Sequence, residues 1–305
     1  MLSAREAVCA YYAERGASVS AEQVVLTSST SEAYSLVFKL LCDPGDTVLV
    51  PRPSYPLFDA LAAAEGVRLV GYDAPVEDAR AIVVVNPNHP TGLFTTREEA
   101  AALRTVGPPL IVDEVFADFP YFGGRPATSL TTSFLRERPG PLEFVFSGLS
   151  KVCGLPHAKL GWIVVRGPDL ERSDALERLH WLADAFLSVG QPVQRALGGL
   201  LAERARFQGA VRARVARNRG ALAKAVESLP GAELLPMDAG WTAVLALPGE
   251  RTDEEWALAL LEHDVIVHPG YFYGFDEPGR LVVSLLQPPR TFDAAVAALF
   301  AVALG

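Results

Sequence analysis

Short apolar runs alternate with amphipathic helical patterns along the first half of the chain. Seven of these runs are rich in valine, isoleucine and leucine and have the length of strands, which is typical of a sheet covered on both faces. The predicted strands are residues 23–26, 47–50, 67–72, 81–85, 110–112, 143–146 and 160–165. A helix is predicted at 31–42, ending at the turn sequence Asp43-Pro44-Gly45-Asp46.

Long amphipathic helical patterns follow Gly167, the clearest at residues 192–229 before Pro230-Gly231. A second α/β pattern comes next, with strands near 241–247 and 281–285 and helices at 253–263 and 291–304. We therefore predict an α/β protein with two domains. The large domain is expected at residues 20–200, the smaller α/β domain at 201–305, and an N-terminal helix at 1–19.

The composition is that of a globular protein: 50% of the residues are hydrophobic and 21% are charged. A net charge of −9 disfavours nucleic-acid binding, and we interpret the arginine-rich stretch 204–219 as a solvated helix face. Neither a signal peptide nor a membrane span of about 20 apolar residues is indicated. The three separated cysteines form neither a disulfide framework nor a metal site, so a cytoplasmic protein without a bound metal is expected.

Lys151 is the first candidate for chemistry. It is one of four lysines, and it follows an apolar strand pattern, next to Ser150 and shortly before Gly154. An amine at the end of a strand, with hydroxyls beside it, is suited to forming a Schiff base with a carbonyl cofactor. A solvated lysine that closes the strand is the alternative.

Polar residues also follow the other predicted strands, where ligands of open α/β sheets bind. The hydroxyls of 27–32 can hold a phosphate at a helix start or serve as ordinary N-caps. Tyr55, on the proline-rich loop 51–56, can stack on a planar cofactor or pack in the core. Asp113 requires a partner such as a protonated ring nitrogen, or it caps a helix.

Taken together, in this order and spacing, these segments resemble the class I/II aminotransferases, which are fold-type-I enzymes dependent on pyridoxal 5'-phosphate (PLP). The resemblance covers nearly the whole chain and is most specific at residues 86–92, 113–116 and 150–162. It implies a three-layer sandwich around a mainly parallel seven-stranded sheet. It also implies PLP as cofactor, an L-amino acid and a 2-oxo acid as substrates, and a homodimer.

The resemblance assigns roles to individual residues. Lys151 would form the Schiff base with PLP and then move a proton between the substrate and the cofactor. Asp113 would keep the pyridine nitrogen protonated, and Tyr55 would stack on the ring. The hydroxyls that match the phosphate cradle are those of Ser29, Thr30, Ser31 and Ser150.

Four positions near the cofactor depart from the family pattern. His89 and Phe116 replace an asparagine and a tyrosine that donate to the phenolic oxygen of PLP, and we expect His89 to take over this contact. Lys159 replaces an arginine that holds the phosphate in a two-pronged contact. Gly148 stands where many relatives have a hydroxyl.

The arginine that binds the substrate carboxylate in this family aligns with a valine in the segment 281–284. Arg280 could take its place if it points inward, or it lies on the surface. Strand alternation places Arg280, Val282 and Ser284 on one face. His268 is expected to be structural or exposed, and the loop 268–272 resembles one that faces the active site in relatives.

Two alternatives remain open at this point. One is another PLP reaction, β-elimination or decarboxylation, since these differ only in which bond is aligned with the ring. The other is an aminotransferase-like module that binds a ligand without catalysis. The chain begins at a helix that relatives reach after several dozen residues, so a fragment, a misassigned start or a naturally shortened form is expected.

Overall fold

Seven strands form one sheet in the computed structural model, which describes residues 1–72, 78–121 and 127–304. The strands are β1 (Val24–Thr27), β2 (Thr47–Val50), β3 (Arg68–Gly71), β4 (Ala79–Val85), β5 (Leu110–Asp113), β6 (Glu143–Gly148) and β7 (Gly161–Arg166). Their order is β1-β7-β6-β5-β4-β2-β3, and only β7 runs antiparallel to its neighbours. All seven predicted strands are confirmed, with each end within two residues of its predicted place.

Helices cover both faces of this sheet and give the expected three layers. They are α1 (Leu2–Glu14), α2 (Thr30–Leu41), α3 (Phe58–Ala64), α4 (Arg97–Thr105), α5 (Leu149–Val152), α6 (Asp169–Phe186) and α7 (Gln191–Ala202). Side chains of α2, α3 and α6 pack with one set of strand residues, including Val83. Those of α1, α4 and α7 pack with the alternate set, including Val84. The period of two along buried strands produces this division.

A second sheet lies in the last third of the chain. Its strands are β8 (Glu233–Leu234), β9 (Thr242–Ala246), β10 (His268–Pro269) and β11 (Arg280–Ser284), all antiparallel in the order β10-β11-β9-β8. Helices α8 (Arg204–Val226), α9 (Asp253–Leu261) and α10 (Pro289–Leu304) accompany it. The core beside this sheet also contains Phe116 and Phe119, which come from the loop after β5 in the first half of the chain. The division into two domains at residue 200 stays a prediction.

The single helix predicted at 192–229 is wrong. The chain forms α7 and α8 instead, with a break at Glu203. Leu197 and Leu201 of α7 pack in the core with α1, whereas Val211 and Val215 of α8 pack in the core of the second sheet. The helical pattern continues in the sequence, but the two helices serve different cores.

The arginines of α8 do more than form a solvated face. Arg212 donates to the backbone oxygen of Asp118 at 3.1 Å, and Arg214 donates to that of Leu286 at 3.2 Å. Arg217 forms an ion pair with Asp293. These contacts tie α8 to the segments on both sides of it.

Hydrogen bonds join the two sheets beside the carboxyl ends of the parallel strands. The backbone nitrogens of Asp238 and Ala239 donate to the carbonyl of Gly92 at 3.0 and 2.9 Å. Gly92 has φ +73°, and a Cβ at this position would lie 2.1 Å from the oxygen of Ala239, so only glycine fits. A further hydrogen bond joins the loop after β2 to the segment between β10 and β11: the backbone nitrogen of Ser54 donates to the carbonyl of Tyr273 at 2.8 Å.

Within the described residues, no helix has the length and apolar character needed to cross a membrane.

Candidate active site

A cavity of about 450 Å³ lies between the carboxyl ends of the parallel strands and the second sheet. Eight of the ten predicted site residues line it. These are Ser29, Thr30, Ser31, Tyr55, His89, Asp113, Ser150 and Lys151. Each follows or ends one of five strands, β1, β2, β4, β5 and β6, and parallel strands bring their carboxyl ends to one edge of the sheet. The predicted set therefore meets in one place.

Lys151 lies on the short helix α5, which begins directly after β6. Its Nζ is 5.5 Å from the ring centroids of both Phe116 and Trp241. Burial between these apolar rings lowers the pKa of the amine, and the charge of Asp113 partly opposes this shift. A lowered pKa increases the fraction of neutral amine, which is the nucleophilic form.

Asp113 ends β5 and is only 8% exposed. Its Oδ2 accepts from the hydroxyl of Tyr34 at 3.1 Å, and its Oδ1 accepts from the backbone nitrogen of Val115 at 3.1 Å. Burial raises the pKa of this carboxyl to about 6, although both hydrogen bonds and the charge of Lys151 lower it. No cation in the described part of the chain forms an ion pair with it, so a cationic group in the cavity would relieve the cost of burying its charge.

The neighbouring carboxylate, Glu114, has a structural role. It is 3% exposed and does not line the cavity. The hydroxyl of Ser133 donates to its Oε2 at 2.7 Å, and the backbone nitrogen of Phe134 donates to its Oε1 at 2.5 Å. Adjacent residues at the end of a strand face opposite sides, so only Asp113 reaches the site.

The N-terminus of α2 supplies the hydroxyl-rich wall of the cavity. Ser29 is its N-cap and accepts from the backbone nitrogen of Glu32 at 3.1 Å, so one hydroxyl of the segment 27–32 caps the helix, as one of the two alternatives held. Thr30 and Ser31 begin the helix and also line the cavity. The first N–H groups of a helix have no intrahelical partner and carry partial positive charge, so this end is also suited to an anion such as phosphate.

His89 is held by aromatic rings. Its imidazole stacks on Phe116 with the centroids 5.4 Å apart, and it meets Tyr273 edge-on at 5.4 Å. Burial, together with the charges of Lys151 and His268, lowers its pKa to about 4, so the ring is neutral at pH 7. A neutral imidazole still has one N–H donor to offer a ligand in the cavity.

The structure does not bring Lys159 and Arg280 to the cavity wall. Lys159 is exposed and adopts the left-handed backbone conformation with φ +54°. Arg280 lies at the start of β11, and a Cβ on Gly270 would be 2.5 Å from its Cβ. Val282 and Ser284, on the same face of that strand, do line the cavity. The face of β11 that carries Arg280, Val282 and Ser284 is therefore turned towards the cavity, as one of the two predictions held. Arg280 itself is not among the residues that line the cavity.

The second sheet and its loops form a wall of the cavity that the sequence did not predict. Trp241, Ile266, His268 and Tyr273 all line the cavity. His268, which was expected to be structural or exposed, is exposed and also faces this cavity. The loop 268–272 gave a partial signal through its resemblance to a site-facing loop. Within the described residues, no group of three or more metal-ligating side chains occurs.

The sequence profile of the family described as "Aminotransferase class I and II" matches residues 1–299. The chain belongs to this family. Glutamate-pyruvate aminotransferase AlaA of Haemophilus influenzae is 28% identical over 218 residues, covering 65% of this chain and 53% of the relative. Alanine aminotransferase of Mycobacterium bovis is 26% identical over 290 residues, covering 87% and 61%. The chain thus spans between half and two thirds of these curated relatives.

Solved aminotransferase structures show the same fold. Tyrosine aminotransferase from Leishmania infantum superposes with a TM-score of 0.88 at 21% identity, covering 100% of this chain and 81% of that one. Alanine aminotransferase from Pyrococcus furiosus gives a TM-score of 0.86 at 23% identity, covering 98% and 80%.

The raised pKa of Asp113 leads to a stability prediction for the ligand-free protein. Because the folded-state pKa of about 6 exceeds the ordinary value of 3.8, folding loses stability as pH rises from about 4 to about 6. Asp113→Asn removes this loss, so the variant should be more stable than wild type at pH 8 by on the order of 3 kcal/mol, and similar to it at pH 4. Urea unfolding of the two proteins at both pH values measures this difference.

The matched control is Asp174→Asn, whose carboxylate lies in an exposed i,i+4 ion pair with Arg178. This variant should differ little from wild type at either pH. If the difference in unfolding free energy between Asp113→Asn and wild type is the same at pH 8 and at pH 4, burial does not raise the pKa of Asp113 as proposed.

Proposed function

We propose that this chain is a PLP-dependent aminotransferase that moves an amino group between an L-amino acid and a 2-oxo acid. The observation that carries the proposal is that Lys151 and the buried Asp113, which has no ion pair among the described residues, line one cavity at the carboxyl ends of the sheet. Membership of the family supports the reaction class. The names of the alanine and glutamate-pyruvate aminotransferases that it resembles support amino acids and 2-oxo acids as substrates.

The side chains present fit PLP. Lys151 is the amine that would bind its carbonyl, and Asp113 the carboxylate that would pair with its ring nitrogen. The N-terminus of α2, with Ser29, Thr30 and Ser31, would hold the phosphate together with Ser150. Tyr55 and His89 would lie against the ring and its phenolic oxygen. Lys159 is exposed and outside the cavity wall, so phosphate binding does not depend on it.

When bound, PLP supplies a carbonyl that condenses with amino groups and a ring that accepts electrons from a broken bond at the substrate α-carbon. The chain supplies the rest. Lys151 Nζ, whose pKa burial lowers, accepts a proton and returns it. Asp113 stays ionised once a cation faces it, because an opposite charge lowers the pKa of a carboxyl. Phe116, Trp241 and Val282 form apolar walls that exclude water.

We also propose that the protein is a homodimer. Trp181 is 78% exposed, Phe186 56% and Leu187 78%; the first two lie in the last two turns of α6, and Leu187 directly follows the helix. Trp181 and Leu187 line a groove with Met1 beside the edge strand β1. Large apolar side chains grouped on a surface are typical of a contact with another chain.

A cytoplasmic location stays a prediction of the sequence. Cys9, Cys42 and Cys153 are free thiols in the structure.

The cofactor proposal predicts a covalent bond at one lysine. Borohydride reduction of the protein incubated with PLP should add a reduced PLP group to the peptide that contains Lys151, and mass analysis should find none in Lys151→Ala. Lys159→Ala is the matched control and should retain the adduct. An adduct on another lysine, or none in wild type, would contradict the proposal. An adduct without amino-group transfer to 2-oxo acids would favour a different PLP reaction or a binding module.

The contact of His89 with the phenolic oxygen predicts a shift in the visible absorbance titration of the PLP complex. A hydrogen-bond donor stabilises the deprotonated oxygen, so His89→Ala should raise the pKa seen in this titration by about one unit. His157→Ala, which removes an exposed histidine outside the cavity wall, should leave it unchanged. Equal titration curves for His89→Ala and wild type would show that His89 does not contact this oxygen.

The dimer proposal predicts a sedimenting species of about twice the 32.7 kDa chain. Trp181→Glu should shift the protein towards the monomer, because it places a charge in an apolar contact. Leu170 is 88% exposed at the other end of α6, so Leu170→Glu serves as the control and should remain dimeric. A monomeric wild type at micromolar concentration would refute the proposal.

A further inference from the structure

The proposed substrates carry a carboxylate, and a carboxylate that enters a largely apolar cavity needs a donor there. Among the described residues that line this cavity, the side chains able to carry positive charge are Lys151, His89 and His268. No arginine lines it. The following inference rests on the proposed function, because it concerns how the same site holds its substrate.

Two of the three candidates are committed elsewhere. Lys151 is the amine of the proposed chemistry, and its Nζ lies between the rings of Phe116 and Trp241. His89 is held against Phe116 on the large-sheet side of the cavity, where burial keeps it neutral. His268 is the remaining candidate, and it lies on the opposite wall.

The register of the second sheet places His268 next to the inward-facing position of β11. His268 on β10 is directly opposite Val282 on β11, and both residues line the cavity. Residues that are opposite in an antiparallel pair point to the same face, with Cβ atoms about 4.5–5.5 Å apart. The imidazole of His268 therefore lies one strand away from the apolar side chain of Val282, and the other residue of β11 that lines the cavity is Ser284, which carries no charge.

Tyr273 fixes the orientation of this imidazole. The Nδ1 atom of His268 is 2.8 Å from the hydroxyl of Tyr273, and the two rings stack with centroids 6.0 Å apart. When the hydroxyl donates to Nδ1, the proton of the neutral imidazole is on Nε2. The carbonyl of Tyr273 accepts from the backbone nitrogen of Ser54, so Tyr273 is also held by the loop that follows β2.

We propose that His268 is a substrate-binding residue that donates from Nε2 to the substrate carboxylate, with Tyr273 as its positioning residue. A hydrogen bond to a charged acceptor is stronger than one between neutral groups, so a single N–H contributes measurably to binding. Arg280, which lies beyond the cavity wall, has no part in this contact.

The test uses two amines that cannot undergo amino-group transfer through loss of an α-proton, because neither has an α-hydrogen. 2-Methylalanine carries a carboxylate, and tert-butylamine has a methyl group in its place. Their dissociation constants are measured from the absorbance change of the PLP-loaded protein. His268→Ala should weaken 2-methylalanine binding roughly three- to tenfold and leave tert-butylamine binding unchanged. His268→Gln, whose amide can still donate, should recover most of the loss.

Two further variants complete the series. Tyr273→Phe removes only the hydroxyl that orients the imidazole, so it should weaken 2-methylalanine binding by a smaller factor than His268→Ala. Arg280→Ala should have no effect on either amine. His268 is exposed, so its replacement does not create a cavity in the core.

Four results would overturn the inference, and three of them come from the variants. These are an unchanged dissociation constant for 2-methylalanine in His268→Ala, an equal weakening for both amines, and a loss confined to Arg280→Ala. Absence of the covalent PLP adduct in wild type is a different result, because it overturns the proposed function itself. A PLP-loaded wild type that binds the two amines equally overturns only the carboxylate contact.

Discussion

The site depends on one buried carboxylate that has no ion-pair partner in the part of the chain that the structure describes. Asp113 is held at the end of β5 by the hydroxyl of Tyr34 and the backbone nitrogen of Val115. Tyr34 is itself fixed in the core by edge-on contacts with Phe58 and Phe146. It belongs to α2, the helix whose N-terminus forms the hydroxyl-rich wall of the cavity. One helix therefore positions both the carboxylate and the anion-binding end, at a distance set by its own geometry.

The second sheet completes the chemistry of the first. Lys151 and His89 owe their lowered pKa values mainly to burial, and part of that burial comes from Trp241 and Tyr273. The hydrogen bonds from Asp238 and Ala239 to Gly92 and from Ser54 to Tyr273 hold these rings in place. The electrostatics of the site thus depend on the contact between the two sheets, as well as on the residues that would touch a cofactor.

Most of the large sheet and its site could be predicted because buried parallel strands are continuous apolar runs and their carboxyl ends meet at one edge. That rule alone places Tyr55, Asp113 and Lys151 in one cavity. The break at Glu203 could not be predicted, because the helical pattern continues through it and only the two cores separate α7 from α8. Lys159 precedes β7 and Arg280 begins β11, and the direction in which the chain enters a strand leaves no periodic pattern in the sequence. His268 depends on the pairing of a two-residue strand, which leaves no periodic pattern in the sequence.

The distribution of polarity on β10 and β11 has a physical reason. Val282 is 3% exposed and packs with Val244 and Tyr273 in a small apolar cluster, so a cation at this position would lose its hydration permanently. His268, on the edge strand, is exposed and keeps contact with water until a ligand arrives. A donor at the edge of the sheet therefore avoids the cost of a buried charge, while the inner strand keeps its packing. The limit of this arrangement is that one imidazole N–H offers a single contact, without the two-pronged geometry that a guanidinium gives a carboxylate.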